Sequence, residues 1–261
     1  MPIAIIGSRG YIGSYLLQYF GDAAVGDPHL SDLNKYSTVI YLGGYSSRQK
    51  CNTWTDVYRH NVQDVASLAD SLTDDQLLIF ASTGAIASFA ENYTEDAMIK
   101  PENMDFYTRS MYEREQVLKT KSVKTIGLRL GGVVGSSPHM RWDLSYHSML
   151  KSARETGVIN VCNPDSYRSM LWIRDLACCI ECLLNFNVTE RHSIYNLASF
   201  DVCIMDIAKD IAAATKASIQ ITPGPVVPSF RLDTSKYCRE FATFTFRGSR
   251  KMVEQDLKFK I

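Results

Sequence analysis

The sequence lacks any apolar run near the roughly 20 residues that a bilayer-spanning helix needs. It also lacks an excess of charge of either sign, with Lys plus Arg and Asp plus Glu at 28 each in 261 residues. The first absence argues against a membrane span. The second removes the field that would draw in a polyanion or an anionic surface. Neither nucleic acid nor membrane is therefore expected as a partner, and a cytoplasmic location is. Paired cysteine spacings are missing too: the seven cysteines are an odd number, and Cys178, Cys179 and Cys182 share one apolar, helix-like stretch. They read as small core residues, and neither a disulfide framework nor a metal site is expected. There is no internal repeat and no low-complexity segment. With 46% hydrophobic and 21% charged residues, the chain has the composition of a packed globular protein.

What is present is an alternation of strand and helix patterns. Residues 2–6, Pro-Ile-Ala-Ile-Ile, form a continuous apolar run of the kind that suits a parallel strand covered on both faces. Gly7 ends it. Residues 11–20 carry apolar side chains at helical spacing and 23–26 read as a short strand, giving β-α-β. Residues 38–42, 77–81, 125–130 and 193–197 are further strand candidates, and 174–186 reads as an amphipathic helix. Between 27 and 38 there is room only for one short connector, so the sheet is trimmed there. The pattern loosens after 136, and the Pro-rich stretch 222–228 reads as a connector. The fold class expected is α/β, a Rossmann-type doubly wound parallel sheet with a smaller, discontinuous lobe. Residues 1–135 and 171–199 make the sheet domain, and 136–170 and 200–261 the lobe.

Gly7, Gly10 and Gly13 follow the first strand and open the first helix. In that context a G-x-x-G-x-x-G spacing holds a pyrophosphate. Glycine lets the backbone turn tightly and approach the phosphates, and the helix N-terminus supplies free N–H groups at the positive end of the dipole. Arg9, Tyr11 and Ile12 belong to the same turn. Asp27, 20 residues beyond Gly7, ends the second strand, where a carboxylate accepts hydrogen bonds from the adenosine ribose hydroxyls and favours NAD. Arg9 leaves NADP open, since a guanidinium suits a 2′-phosphate.

Further motifs extend the pattern. They include Leu42-Gly43-Gly44, Asn61-Val62, Phe80-Ala81-Ser82-Thr83, Tyr107-Thr108-Arg109-Ser110 and the run from Arg129 to Gly135, then Ser137-Pro138, Arg141, Arg168, Trp172-Ile173-Arg174-Asp175, Tyr195-Asn196-Leu197 and Asp233-Thr234-Ser235-Lys236. On these the chain resembles the extended short-chain dehydrogenase/reductase family, in particular the NAD-dependent epimerase/dehydratase group acting on nucleotide sugars. The resemblance runs nearly end to end. It implies that Leu42, Gly43 and Gly44 border the cofactor, and that Thr83 or Ser82 bonds to the reacting hydroxyl or carbonyl. It implies Tyr107 as proton donor or acceptor, and the smaller lobe as the substrate-binding one. Arg141 and Arg168 fall where the family meets the substrate diphosphate. His147 is a third candidate on that side, for sugar recognition, acid/base work or, most simply, surface solvation. The partner implied is a nucleotide-diphosphate sugar, and a homodimer through helices near 61–72 and 107–119. As plainer alternatives, Tyr107 is a surface tyrosine and Thr83 a strand-end cap.

Two departures from the family stand out. Its Tyr-x-x-x-Lys is here Tyr-x-x-x-Met, with Met111 four residues beyond Tyr107. A lysine there lowers the phenol's pKa and binds the nicotinamide ribose, and methionine does neither. Arg109, Arg129 and the oxidised nicotinamide are the substitutes the sequence offers. Gly84-Ala85 stand where 4,6-dehydratases of the family carry Asp-Glu, which disfavours that reaction. The expectation is an NAD(P)-dependent nucleotide-sugar epimerase or oxidoreductase; the alternative is a catalytically impaired relative that binds the same ligands as a sensor or partner subunit.

Overall fold

The computed structural model describes residues 2–258 except 47, 49, 50, 52, 88–90, 187, 188 and 225–228. Six strands form one parallel sheet: β1 (Ile3–Ile6), β2 (Ala24–Gly26), β3 (Thr38–Tyr41), β4 (Leu77–Thr83), β5 (Lys124–Leu130) and β9 (His192–Leu197), in the order β2-β1-β3-β4-β5-β9. The strand centres are largely apolar because both faces are covered. Ile3 and Ile5 point into a core shared with α1 (Tyr11–Phe20) and α6 (Ile173–Leu184), while Ala4, Val39 and Phe80 face a second core. On that side lie α2 (Trp54–Tyr58), a π turn, α3 (Asp64–Asp70) and α4 (Phe106–Lys119). The order reverses between β1 and β3, and at such a switch point a crevice opens beyond the carboxyl ends of the strands.

The short connector read between 27 and 38 is a 3-10 turn, Leu30–Lys35, in which buried Leu33 replaces a crossover helix. Gln76 ties it down, its amide donating to the carbonyls of Leu33 (2.8 Å) and Tyr36 (2.7 Å).

After β5 the chain leaves the sheet. β6 (Gly132–Val134), β8 (Tyr167–Trp172) and β10 (Phe200–Cys203) make a three-stranded sheet in the order β10-β8-β6, and β7 (Val158–Val161) pairs in parallel with β11 (Ser218–Ile221). α5 (Ser145–Thr156), α7 (Ile204–Thr215) and α9 (Arg250–Lys258) enclose a separate core with Val134, Leu150, Ile159, Val161, Ile207 and Val253. Between β8 and β10 the chain passes through α6 and β9 of the first sheet. α8 (Ser235–Glu240) also returns there, its buried Tyr237 donating to the carbonyl of Cys179. None of the seven cysteines forms a disulfide. Among the described residues no helix is long and apolar enough to cross a membrane, and no group of three His, Cys, Asp or Glu could hold a metal ion.

His147 requires a correction. Its side chain is neither at the surface nor on a substrate-facing wall: it is fully buried against Tyr11, with Nδ1 bonded to the carbonyl of Arg141 (2.9 Å) and Nε2 facing the amide of Gly135. It joins α5 to the turn after β6.

Burial holds His147 below the usual imidazole range. Burial and then the charges of Lys119 and Lys236 press His192, paired with Thr125, from 6.5 down to about 4. The folded protein thus refuses protons that the unfolded chain accepts, so this stability is present above the unfolded value and is lost as pH falls from 6.5 towards 4. The melting temperature is expected to decline over that interval, and His192→Asn to make the decline shallower. An identical decline in parent and variant would take His192 out of the acid response.

Candidate functional site

Gly7 leaves β1 at φ +88, and α1 packs so closely on the turn that a Cβ on Gly13 would lie 2.2 Å from the carbonyl oxygen of Gly7 and 2.7 Å from Cα of Ser8. A Cβ on Gly10 would meet the same oxygen at 3.3 Å, which is tight but not prohibitive. α1 begins without a side-chain cap and without an acidic residue in its first turn. Its positive end is therefore uncompensated by the chain, which fits a pyrophosphate.

Asp27, just past β2, folds back on this turn. Its carboxylate accepts from the amide of Gly7 (2.6 Å) and from the Ser8 hydroxyl (2.7 Å). Partial burial pushes its carboxyl up, but the bonds from Ser8 and Gly7 and the nearby charge of Arg9 outweigh that and hold it below the ordinary value. Arg9 is 91% exposed, lies 3.7 Å from Asp27 and does not line the cavity described next.

A cavity of about 670 Å³ runs from this turn to the second lobe. Gly7, Gly10, Tyr11, Ile12, Gly13, Leu42, Gly43 and Gly44 wall one end; Ser82, Thr83, Tyr107 and Met111 stand in the middle; Arg141 and Arg168 lie on the lobe side. Residues far apart in sequence are thus brought to one space.

The two hydroxyls at the end of β4 differ. Ser82 donates to Glu115, which itself accepts from Nε and Nη2 along one edge of the buried Arg129 guanidinium. The Thr83 oxygen accepts from the amide of Ala85 (3.2 Å), so Thr83 is both a strand-end cap and a cavity residue. Thr83 is the hydroxyl left to donate into the cavity.

Tyr107 sits in the first turn of α4, which Asp105 caps by accepting from the amide of Thr108 (2.8 Å). It is half-buried, and Met111 one turn on is buried against the cavity. The two arginines read as substitutes for a lysine at 111 are elsewhere. Arg109 lies over the Trp54 ring (4.7 Å) beside Glu113, Arg129 is spent on Glu115, and neither lines the cavity. Two arginines that the sequence reading passed over do line it, Arg48 and Arg114. Arg48 pairs with Asp105 (2.6 Å) and lies 5.6 Å from the Tyr107 ring centre. The sequence around it carries no helical or strand period. Arg114 was legible, being two helical turns from Tyr107.

On the lobe side Arg141 is already committed. It holds Asp143 with two bonds (2.9 and 3.1 Å) and donates to the carbonyl of Ser46 (2.6 Å), tying the lobe to the loop after β3. Arg168 differs: its guanidinium donates to the carbonyl of Tyr167 and lies over Phe230, and no carboxylate pairs with it among the described residues. Burial, and then the like charge of Arg48, push it down to about 10. Two cations repelling each other across a cavity favour an anion between them.

In sequence comparison no family model and no curated protein matches the chain. Solved structures do match in shape. The UDP-glucuronic acid 4-epimerase from Bacillus cereus, in complex with UDP-glucuronic acid and NAD, superposes with a TM-score of 0.86 at 16% identity, over 99% of this chain and 98% of that one. The NAD-dependent NDP-hexosamine 5,6-dehydratase TunA gives 0.86 at 18% over 99% and 97%. RMD from Pseudomonas aeruginosa, complexed with NADPH, gives 0.81 at 15% over all of both chains. The chain has the fold of these three proteins. It is a Rossmann-like parallel sheet with flanking helices, as the sequence reading expects.

The two glycine contacts separate in a test. Gly13→Ala drives a Cβ into backbone and is expected to displace α1 and weaken dinucleotide binding by about tenfold or more, the scale of one or two charged hydrogen bonds. Gly10→Ala should cost far less. Calorimetry showing equal NAD(H) affinity in Gly13→Ala and the parent would remove this turn from the site.

Proposed function

We propose that the protein is an NAD(P)-dependent nucleotide-sugar epimerase or oxidoreductase. The observation that carries this reading is that one cavity gathers the glycine turn, the Thr83 and Tyr107 hydroxyls and the unpaired Arg168. In this reading residues 1–135 and 171–199 form the dinucleotide side and 136–170 and 200–261 the sugar side. Gly7, Gly10 and Gly13 hold the pyrophosphate. Asp27, already an acceptor for two hydroxyl- and amide-type donors, receives the adenosine ribose and favours NAD, and exposed Arg9 keeps NADP as the second choice. The neighbours of known structure include proteins complexed with each.

When bound, the nicotinamide supplies hydride acceptance and return at a sugar carbon. The chain supplies the rest. Thr83 donates a hydrogen bond to the sugar oxygen and so fixes it near Tyr107, whose phenolic oxygen takes up or returns the hydroxyl proton. Arg168 receives the diphosphate, with Arg141 beside it but largely held by Asp143. A 4,6-dehydratase is disfavoured, because Gly84 and Ala85 form a buried 3-10 turn with no acid to shuttle a proton. A homodimer through the helices near 61–72 and 107–119, here α3 and α4, belongs to the same reading.

Hydride transfer measured at the nicotinamide absorbance over a panel of UDP-, dTDP- and GDP-sugars tests this. Turnover is expected in the parent and near abolition in Tyr107→Phe. Turnover that survives Tyr107→Phe unchanged would remove the proton-transfer role, and ligand binding without any turnover would favour the sensor or partner-subunit alternative. Arg168→Ala is expected to weaken nucleotide-sugar binding by about 1.5–3 kcal/mol, the range for a charged hydrogen bond, and to leave NAD(H) affinity nearly intact. Equal losses for both ligands would place Arg168 outside the diphosphate site.

A further inference from the structure

Tyr107, Met111 and Arg114 recur at four and then three residues along α4, so they share one helix face, and all three line the cavity. Arg114 is 1% exposed. Its guanidinium donates to the carbonyls of Asn61 (2.6 Å), Ala81 (2.8 Å) and Gly43 (3.0 Å) and lies over the Tyr41 ring (5.4 Å). Every one of these partners is neutral. Two carboxylates flank it in sequence, and each is engaged elsewhere: Glu113 lies beside Arg109, and Glu115 is bound by Arg129 and Ser82. Arg114 is therefore a buried cation with no counter-ion among the described residues, an arrangement that folding alone disfavours. A guanidinium has five N–H donors. Three are used by carbonyls, which leaves two, one on each terminal nitrogen, without a partner in the described chain.

The surroundings are shaped around this charge. Gly44 crosses it at φ +104, where a Cβ would lie 2.4 Å from Oδ1 of Asn61 and 2.8 Å from Nη2 of Arg114. Helical side chains lean toward the helix N-terminus, so the charge of residue 114 is carried back toward the turn of Met111. Burial lowers the pKa of Arg114, and electrostatic contacts with Tyr41, then Tyr107 and then Glu115, support its charged form. Arginine suits this place as lysine would not, because a guanidinium keeps its proton when desolvated.

We propose that Arg114 carries the active-site positive charge that a lysine at position 111 would supply. It stabilises negative charge at the Tyr107 oxygen when that oxygen hands on its proton, and it offers its two unpartnered N–H groups to the nucleotide on the Met111 side. In the proton transfer Arg114 acts through Tyr107, as a positioning residue; toward the nucleotide it is a binding residue. The proposal rests on the dinucleotide-dependent reading above.

The test is a double-mutant cycle between positions 111 and 114, read by NADH affinity in a fluorescence titration and by the pH profile of turnover. Met111→Lys alone sets a second cation against Arg114 and is expected to weaken NADH binding. Arg114→Met is expected to weaken NADH binding by about tenfold and to move the acid limb of the profile to higher pH, consistent with the loss of one close charge. In the Arg114→Met background, Met111→Lys should reverse both effects. That inversion of sign follows from charge and not from the three carbonyl bonds, which lysine at 111 does not restore. If Met111→Lys has the same sign in both backgrounds, Arg114 is only a structural brace and the proposal fails. If Arg114→Met does not fold, Met111→Lys in the parent decides. Weaker NADH binding sustains the proposal, and a tenfold gain in affinity or turnover shows that the site lacked its cation and overturns it. A parent that binds no dinucleotide would overturn the functional reading and this proposal with it. A parent that binds NADH without the inversion would overturn the proposal alone.

Discussion

The first turn of α1 lies against the backbone of Gly7 and Ser8 at a separation that admits no Cβ at residue 13, and the rest of the site depends on that contact. It aims an uncapped helix N-terminus along the cavity and leaves the Gly7 amide where Asp27 can receive it. It also sets Tyr11, whose hydroxyl donates to the carbonyl of Gly135 (2.8 Å) and whose ring meets buried His147. One backbone approach thus joins the start of the sheet to the hinge at which the chain enters its second lobe. His147 belongs to that hinge, which explains why a histidine one turn from an acidic residue is neither solvated nor at the cavity wall.

A second constraint operates at the middle of the cavity, where strand ends and α4 carry charge into a dry interior. Glu115 and Arg129 form a closed pair that also takes the Ser82 hydroxyl. Arg114, adjacent in sequence, points instead to three carbonyls from the π turn, from β4 and from the loop after β3. Neighbouring residues on one helix therefore do different work. One compensated pair locks α4 to β4 and β5, and one uncompensated cation is held by dipoles alone. With methionine at 111 the cavity still has positive charge, since Arg48, Arg114, Arg141 and Arg168 all line it.

Much of the first sheet was legible because its elements are local and strongly patterned. The helical spacing over 11–20 is α1 to the residue, and the apolar run at 38–42 is β3 with one residue of overhang. β4 runs two residues past its apolar core to Thr83, and that extension puts Ser82 and Thr83 on a rigid strand end. The second lobe was not legible in detail: β7 and β10 are short and interrupted by Asn160 and Asp201, so no continuous apolar run marks them, and their pairing is fixed by partners distant in sequence. The same reason hid the burial of His147. The partner of Arg141 is two residues away at Asp143, yet its bond to Ser46 crosses 95 positions and could come only from the fold. The stretch 222–228 lies partly outside the described residues.

The central claim is that one cavity holds a pyridine dinucleotide and a nucleotide sugar together. The most direct measurement is mass spectrometry of the molecules carried by the purified, undenatured protein and released on unfolding, with stoichiometry taken from the intact complex. The account predicts NAD(H), or NADP(H) if Arg9 prevails over Asp27, at up to one per chain, and a nucleoside-diphosphate sugar bound in addition when offered. A protein that carries no dinucleotide and takes up neither NADH nor any nucleotide sugar at millimolar concentration would contradict it.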